Sequence, residues 1–312
     1  MKTLQEFVIE KLKIKKSSTD KIKVKDYSEL RRIVKQRYEE NNAYVDCSDL
    51  DVSKIETLEE LFSNFKNVVT IDITGWETSK VTSMYRMFND CYELEHIIGL
   101  EDLDVSSVEN MSYLFWNNTK LTTLDLSKWN THNVYSMAAM FYSCIRLKEI
   151  AGIENFDLSK TTNIIGMFEE CNALKKLDLS KWDVSGMQHV EQLFFACISL
   201  EELNLSNWKL NVTSSEYMFN ICKNLKKLNL TGFEFDKRIS DMKYMFNRCE
   251  SLEHIEGDIE DWDVHNVKSF ECMFQNCPVL KVDLSKWEFN EHVKKIKMNY
   301  GSKGVKLPKR KK

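Results

Sequence analysis

The chain has 312 residues, 43% of them hydrophobic and 29% charged, with two prolines and nine glycines. That balance supports a long apolar core with few breaks and argues against a string of linked domains. The net charge of −4 is unevenly spread: residues 1–43 carry +5, residues 44–293 carry −18 and residues 294–312 carry +9. An acidic body repels nucleic acid, so such a role would rest on the basic ends.

The opening from Met1 to Leu12 has no apolar core of signal-peptide length and no small-residue cleavage site. No stretch reaches the roughly 18 apolar residues of a membrane span. The sequence therefore reads as cytoplasmic, with a surface protein lacking its leader or a virion component as alternatives. Leu4 to Lys15 is a short amphipathic segment, read as a frayed helix docked on a cap. Asp26 to Glu40 is predicted as an amphipathic helix with Tyr27, Leu30, Ile33, Val34 and Tyr38 on one side, covering the open end of a core. Residues 1–43 thus form an N-terminal segment and capping helix.

From residue 44 the sequence repeats. A Met/Leu-Phe anchor recurs at Phe62, Phe88, Phe115, Phe141, Phe168, Phe194, Phe219, Phe246 and Phe274, spaced by 25 to 28 residues. Leu121-Thr-Thr-Leu124-Asp-Leu126 has the spacing of a leucine-rich-repeat strand. Met137, Met140, Phe141 and Cys144 then follow at i, i+3, i+4 and i+7, one face of a helix. The expected fold is an α/β solenoid of about nine strand–turn–helix repeats over 44–293. Some copies are one residue longer and carry a glycine (Gly99, Gly152, Gly257), read as a bulge or tight turn at the strand end.

Two further rows run through the repeats. Trp76, Trp129, Trp182, Trp208, Trp262 and Trp287 share one position, with Leu103, Phe156 and Phe233 filling it elsewhere. An edge spine over the core is the preferred reading, and an exposed aromatic ledge for sugars is the other. Cysteine stands three places after phenylalanine at Cys91, Cys144, Cys171, Cys197, Cys222, Cys249 and Cys277; Phe65 and Asn118 replace it in two copies. Adjacent helices would hold these too far apart for disulfides. All nine cysteines read as small, reduced core residues, and no Cys-x-x-Cys or His–Cys cluster suggests zinc. The histidines (His96, His132, His189, His254, His265, His292) are scattered, and no catalytic constellation is present. The chain reads as a non-enzyme without cofactor or metal.

The residue between paired strand hydrophobics should point outward. Along the array this gives Asp72, Asp125, Asp178, Asn204, Asn229, Glu256 and Asp283 as a candidate binding face. Just before them, Lys175 and Lys176, Glu201 and Glu202, then Lys226 and Lys227 alternate in sign, which predicts ion pairs across neighbouring strands. Residues 294–312 are expected to be a basic tail, with the stretch from Lys303 to Lys312 lacking fixed structure. It could contact nucleic acid or anionic lipid, or simply solubilise.

The unit from Leu124 to Cys144, Leu-Asp-Leu-Ser-Lys-Trp through Met-Phe-Tyr-Ser-Cys, closely resembles the BspA-type leucine-rich repeat of bacterial surface proteins and mycoplasma lipoproteins. The resemblance extends over roughly residues 44–290. It implies a leucine-rich-repeat-like solenoid and adhesion, or binding of host proteins or other cells. The expected function is a non-catalytic module presenting its strand face to a protein or glycan. The alternative is a structural or phage-associated component docked through its ends.

Overall fold

The computed structural model describes residues 21–309. The opening segment Leu4 to Lys15 and residues 310–312 lie outside them. Eleven short parallel strands define one side of a coiled chain: Tyr44–Asp46, Thr70–Asp72, His96–Ile98, Thr123–Asp125, Glu149–Ala151, Lys176–Asp178, Glu202–Asn204, Lys227–Asn229, His254–Glu256, Val282–Asp283 and Val305–Lys306. Each strand is two or three residues long and its central or apolar position faces the core, as in Lys176–Asp178, where only Leu177 is buried. The register is strict: Leu177, Leu203, Leu228 and Ile255 stand opposite one another. A second line of parallel bridges, from Thr57 and Ser83 to Ser269 and Lys294, runs along another side.

The fold is a parallel β-solenoid of about eleven coils, and this corrects two expectations. The array holds more than nine units. Residues 294–306, expected as tail, continue the winding: Lys294 bridges Ser269, and Val305–Lys306 pairs with Val282–Asp283. The helix expected in every repeat is also absent from the described residues. The stretch around each phenylalanine is a ribbon of overlapping turns.

The ribbon from Ile164 to Cys171 shows why. The amides of Met167, Glu169 and Cys171 bond back to the carbonyls of Ile164, Gly166 and Phe168. The amides between them, of Gly166, Phe168 and Glu170, bond forward to Glu191, Leu193 and Phe195 of the next coil. An α-helix spends every amide on its own chain; this ribbon sends alternate ones to its neighbour. Gly166 and Glu170 have φ of 59° and 57°. Each holds the third place of its turn, where a type II geometry requires positive φ. Equivalent pairs recur, among them Arg86 and Asp90, Tyr113 and Asn117, and Tyr217 and Ile221.

The spine phenylalanines from Phe62 to Phe274 are completely buried. Their rings stack nearly parallel, with Phe168 centred 5.7 Å from Phe141 and 5.6 Å from Phe194. The cysteines are free and buried. Seven of their thiols point at a phenylalanine carbonyl of the preceding coil, as Cys144 does at Phe115, 3.0 Å away. The tryptophan row is an edge spine and not a sugar ledge: all six indoles are buried. Five of them donate Nε1–H to the previous coil, as Trp208 does to Leu179 at 2.8 Å.

The strand ends turn the corner in two ways. In short copies an Asp or Asn accepts from the residue two places on, an Asx-turn: Asp125 Oδ1 takes the amide of Ser127 at 3.0 Å and its hydroxyl at 2.6 Å. In two of the long copies Gly99 and Gly152 adopt left-handed φ of 84° and 85°, and a short 3₁₀ turn follows. A Cβ on Gly152 would stand 2.3 Å from Ser127 Cα, so only glycine lets this corner sit on the one before it.

One α-helix, Tyr27–Glu40, lies among the described residues. Asp26 caps it by accepting from the Glu29 amide at 2.9 Å. Leu30 and Val34 are buried in the common core, and Tyr38 stacks on Phe65 at 4.0 Å. Arg37 grips Asp49 with both terminal nitrogens, at 2.5 and 3.0 Å. Before it, Ile22–Lys23 pairs in parallel with Leu50–Asp51.

Candidate interaction surfaces

The strand side presents two exposed rows flanking a buried one. The register places Lys176, Glu202, Lys227 and His254 side by side, and likewise Asp178, Asn204, Asn229 and Glu256. The alternating charges meet as their signs require. Glu202 lies 3.1 Å from both Lys176 and Lys227, and Glu201 lies 3.1 Å from Lys226. Bonds from these lysines hold both carboxylates below their usual range. The pairs are exposed, so water and salt screen them and each adds little to stability. Lys175 stands exposed beside them without an ion pair among the described residues.

The acids of the second row have a local role that sequence reasoning missed. Asp125, Asp178 and Asp283 each spend Oδ1 on the Ser two residues on. That bond lowers the carboxyl in all three, and in Asp283 it does so to about 2, where Lys306 assists. Asn204 and Asn229 cap their corners through Ser206 and Thr231. The Asp-x-Ser pattern was the available signal. Asp72 departs from the outward expectation: it is 2% exposed, and the Tyr44 hydroxyl from the preceding coil donates to it at 3.3 Å. Glu256 is exposed at the end of its strand, before Gly257. The structure thus brings Lys176, Asp178, Glu202, Asn204, Lys227, Asn229 and Glu256 into one patch, with Asp283 on the next coil and Asp125 separated from it by the coil of Ala151.

Two histidines, His96 and His254, stand on strands, and His132 pairs with Asp157 at 2.9 Å. Among the described residues no group of three His, Cys, Asp or Glu could hold a metal ion. No described helix is long and apolar enough to cross a membrane. An open groove of about 320 Å³ lies over Trp262 and Trp287, where Lys286 pairs with Asp261 at 3.0 Å.

The turn-ribbon side carries a different surface, which sequence reasoning did not single out. Half-buried aromatic residues succeed one another there. Tyr113 lies 5.2 Å from Trp116, and Trp116 lies 5.7 Å from Tyr142; farther along, Phe195 is 6.0 Å from Tyr217 and Tyr217 is 4.8 Å from Tyr244. Between Tyr142 and Phe195, on the intervening coil, stands Glu169. Burial, and then the charge of Glu170, pushes its carboxyl up to about 7.

Against known families, the chain matches the model described as "Mycoplasma protein of unknown function, DUF285" over residues 28–151, 144–253 and 211–308. No curated protein matches it. Among solved structures it is similar to a leucine-rich-repeat protein of T. pallidum, at 17% identity and TM-score 0.41, covering 59% of this chain and 79% of that one. It is also similar to one from Eubacterium ventriosum, at 15% identity and TM-score 0.36, covering 93% and 90%. A leucine-rich cell surface protein of Faecalibacterium prausnitzii shows 17% identity and TM-score 0.30, covering 77% and 82%.

Proposed function

The chain belongs to the DUF285 family, and from that premise we propose that it is a non-catalytic interaction module whose strand side recognises a protein or glycan partner. One observation carries the reading. Backbone pairing fixes Asp178, Asn204, Asn229 and Glu256 in a single row, so acceptors and amides recur at about the 4.8 Å strand spacing. A rigid polar ladder loses little entropy on binding, which is what a recognition surface needs. The paired Lys176, Glu202 and Lys227 beside it favour a partner whose charges alternate to match. The resemblance of the repeat to BspA-type units adds adhesion to another cell as the class of role.

The test compares wild-type protein with Asp178→Lys and Asn229→Lys on a glycan array and against intact bacterial and mammalian cells. Loss of wild-type binding in both variants, with unchanged circular dichroism, supports the reading. Binding that persists at wild-type strength in both overturns it.

A further inference from the structure

The chain already seats its own cations at both ends of the aromatic row on the ribbon side. At one end the Arg86 guanidinium lies 5.0 Å from the rings of Tyr85 and Tyr113 and 5.7 Å from Trp116, with Glu60 at 3.9 Å. At the other end Lys243 lies 3.2 Å from Glu216 and 3.3 Å from Asp241, on the coil of Tyr244, which stacks on Tyr217. The middle of the row repeats the rings and acid of the Arg86 end: Tyr142, Glu169 and Phe195 occupy one position on three successive coils. Backbone bonds from Ser143 to Glu169 and from Glu170 to Phe195, both 2.8 Å, hold them in register. Among the described residues, no lysine or arginine pairs with the Glu169 carboxylate and no donor bonds to it. The neighbouring Glu170 is engaged by the Ser143 hydroxyl, and Glu191 faces His189 at 3.8 Å.

We propose that Tyr142, Glu169 and Phe195 form a seat for an arginine or lysine side chain presented by a partner protein. The spacing suits it. At the phenylalanine layer beneath, the adjacent coils are 5.7 and 5.6 Å from that of Glu169. A cation over Glu169 would therefore lie within the ~6 Å reach of both flanking rings. Gly166 makes the room: a Cβ there would stand 3.0 Å from Glu169 Oε2, so the carboxylate folds over bare backbone. The strongly negative body around it favours the approach of a basic segment. The seat is on a different side from the strand ladder and does not depend on that ladder being used.

The probe is a glycine–serine decapeptide with one central arginine, titrated into the full-length protein while the backbone amide signals of Tyr142, Glu169 and Phe195 are followed by NMR. A saturable shift is expected, weakened at least tenfold in Glu169→Gln and several-fold in Phe195→Ala. With the free carboxyl titrating near 7, wild-type binding should be about tenfold tighter at pH 8 than at pH 6. This readout needs no variant to fold. The proposal is overturned if Glu169→Gln binds as wild type does, if affinity is the same at both pH values, or if norleucine in place of arginine binds equally well. The last result would mark the row as an apolar contact. The readout is confined to the ribbon side, so failure here leaves the strand-side reading standing.

Discussion

The thiol of Cys171 donates to the carbonyl oxygen of Phe141, one coil back, at 3.1 Å. The same bond recurs along the array, and two of the places without cysteine show what it is for; at a third, Phe65 in the first coil, the ring stacks on Tyr38 instead. Asn118 Nδ2 donates to the Phe88 carbonyl at 2.9 Å, and the Ser302 hydroxyl donates to that of Phe274. The row is selected for a small buried donor, with cysteine the least costly one to desolvate. Cys171→Ala should destabilise the protein by about 0.5–1.5 kcal/mol, because the Phe141 carbonyl keeps the Cys144 amide and loses only its second donor. Cys171→Ser should cost less, as Ser302 already does this work. Urea midpoints measure both; an alanine variant as stable as the serine variant would show that the bond contributes nothing.

Gly152 and Gly186 should respond oppositely to alanine. Gly152 has φ of 85° and a Cβ there would meet Ser127 backbone at 2.3 Å, so Gly152→Ala should cost about 2–4 kcal/mol. Gly186 lies outside the left-handed region and its nearest neighbour would be 3.6 Å away. Gly186→Ala should be neutral or stabilise by up to about 1 kcal/mol through the unfolded chain. Thermal melts of the two variants separate these outcomes.

Glu169 gives the stability a definite pH dependence. Its folded carboxyl is raised from 4.5 to about 7, so the folded state holds a proton that the unfolded chain releases. Its contribution is present below the unfolded value and is lost as pH rises through the window from 4.5 to 7. Glu169→Gln should melt like the wild type at pH 4 and above it at pH 8. A difference between the two melting temperatures that stays constant with pH would contradict this.

Phe168→Ala removes one ring from the middle of the stack and should cost about 3–5 kcal/mol. Each coil touches only its neighbours, so the damage should stay local. Hydrogen exchange should rise in the coils that carry Phe141 and Phe194 and stay low near Phe88. Equal loss of protection along the whole chain would mean that the array unfolds as one unit.

The sequence disclosed which side chains are buried more fully than how the backbone bonds. Met137, Met140, Phe141 and Cys144 are all at 0% exposure, as their spacing required. That spacing fits a helix and a ribbon of overlapping turns equally, because both return a side chain inward after three and four residues. What separates them is the left-handed residue two before and two after each phenylalanine. Asn64, Asn117, Asn276, Gly166 and Gly301 hint at it, while Tyr113, Gln192 and Tyr217 at equivalent positions hide it. The final coil was concealed by its charge: six lysines between 294 and 309 look like a solvated tail, yet Met298, Ser302 and Val305 are buried among them. On the strand side the lysine–glutamate ladder was legible from period and sign alone. The burial of Asp72 was not, because Tyr44 reaches it from another coil. The aromatic row escaped notice because its members come from coils 25 to 28 residues apart and shift between ribbon positions.

The most direct measurement is the hydrogen-bond scalar coupling across the Phe168 amide, read by NMR on labelled full-length protein. The solenoid predicts coupling from Phe168 N–H to the carbonyl carbon of Leu193, in the next coil, across a 3.0 Å bond. Coupling to the carbonyl of Ile164, four residues earlier, would mean that the repeat is helical after all and that the ribbon does not exist.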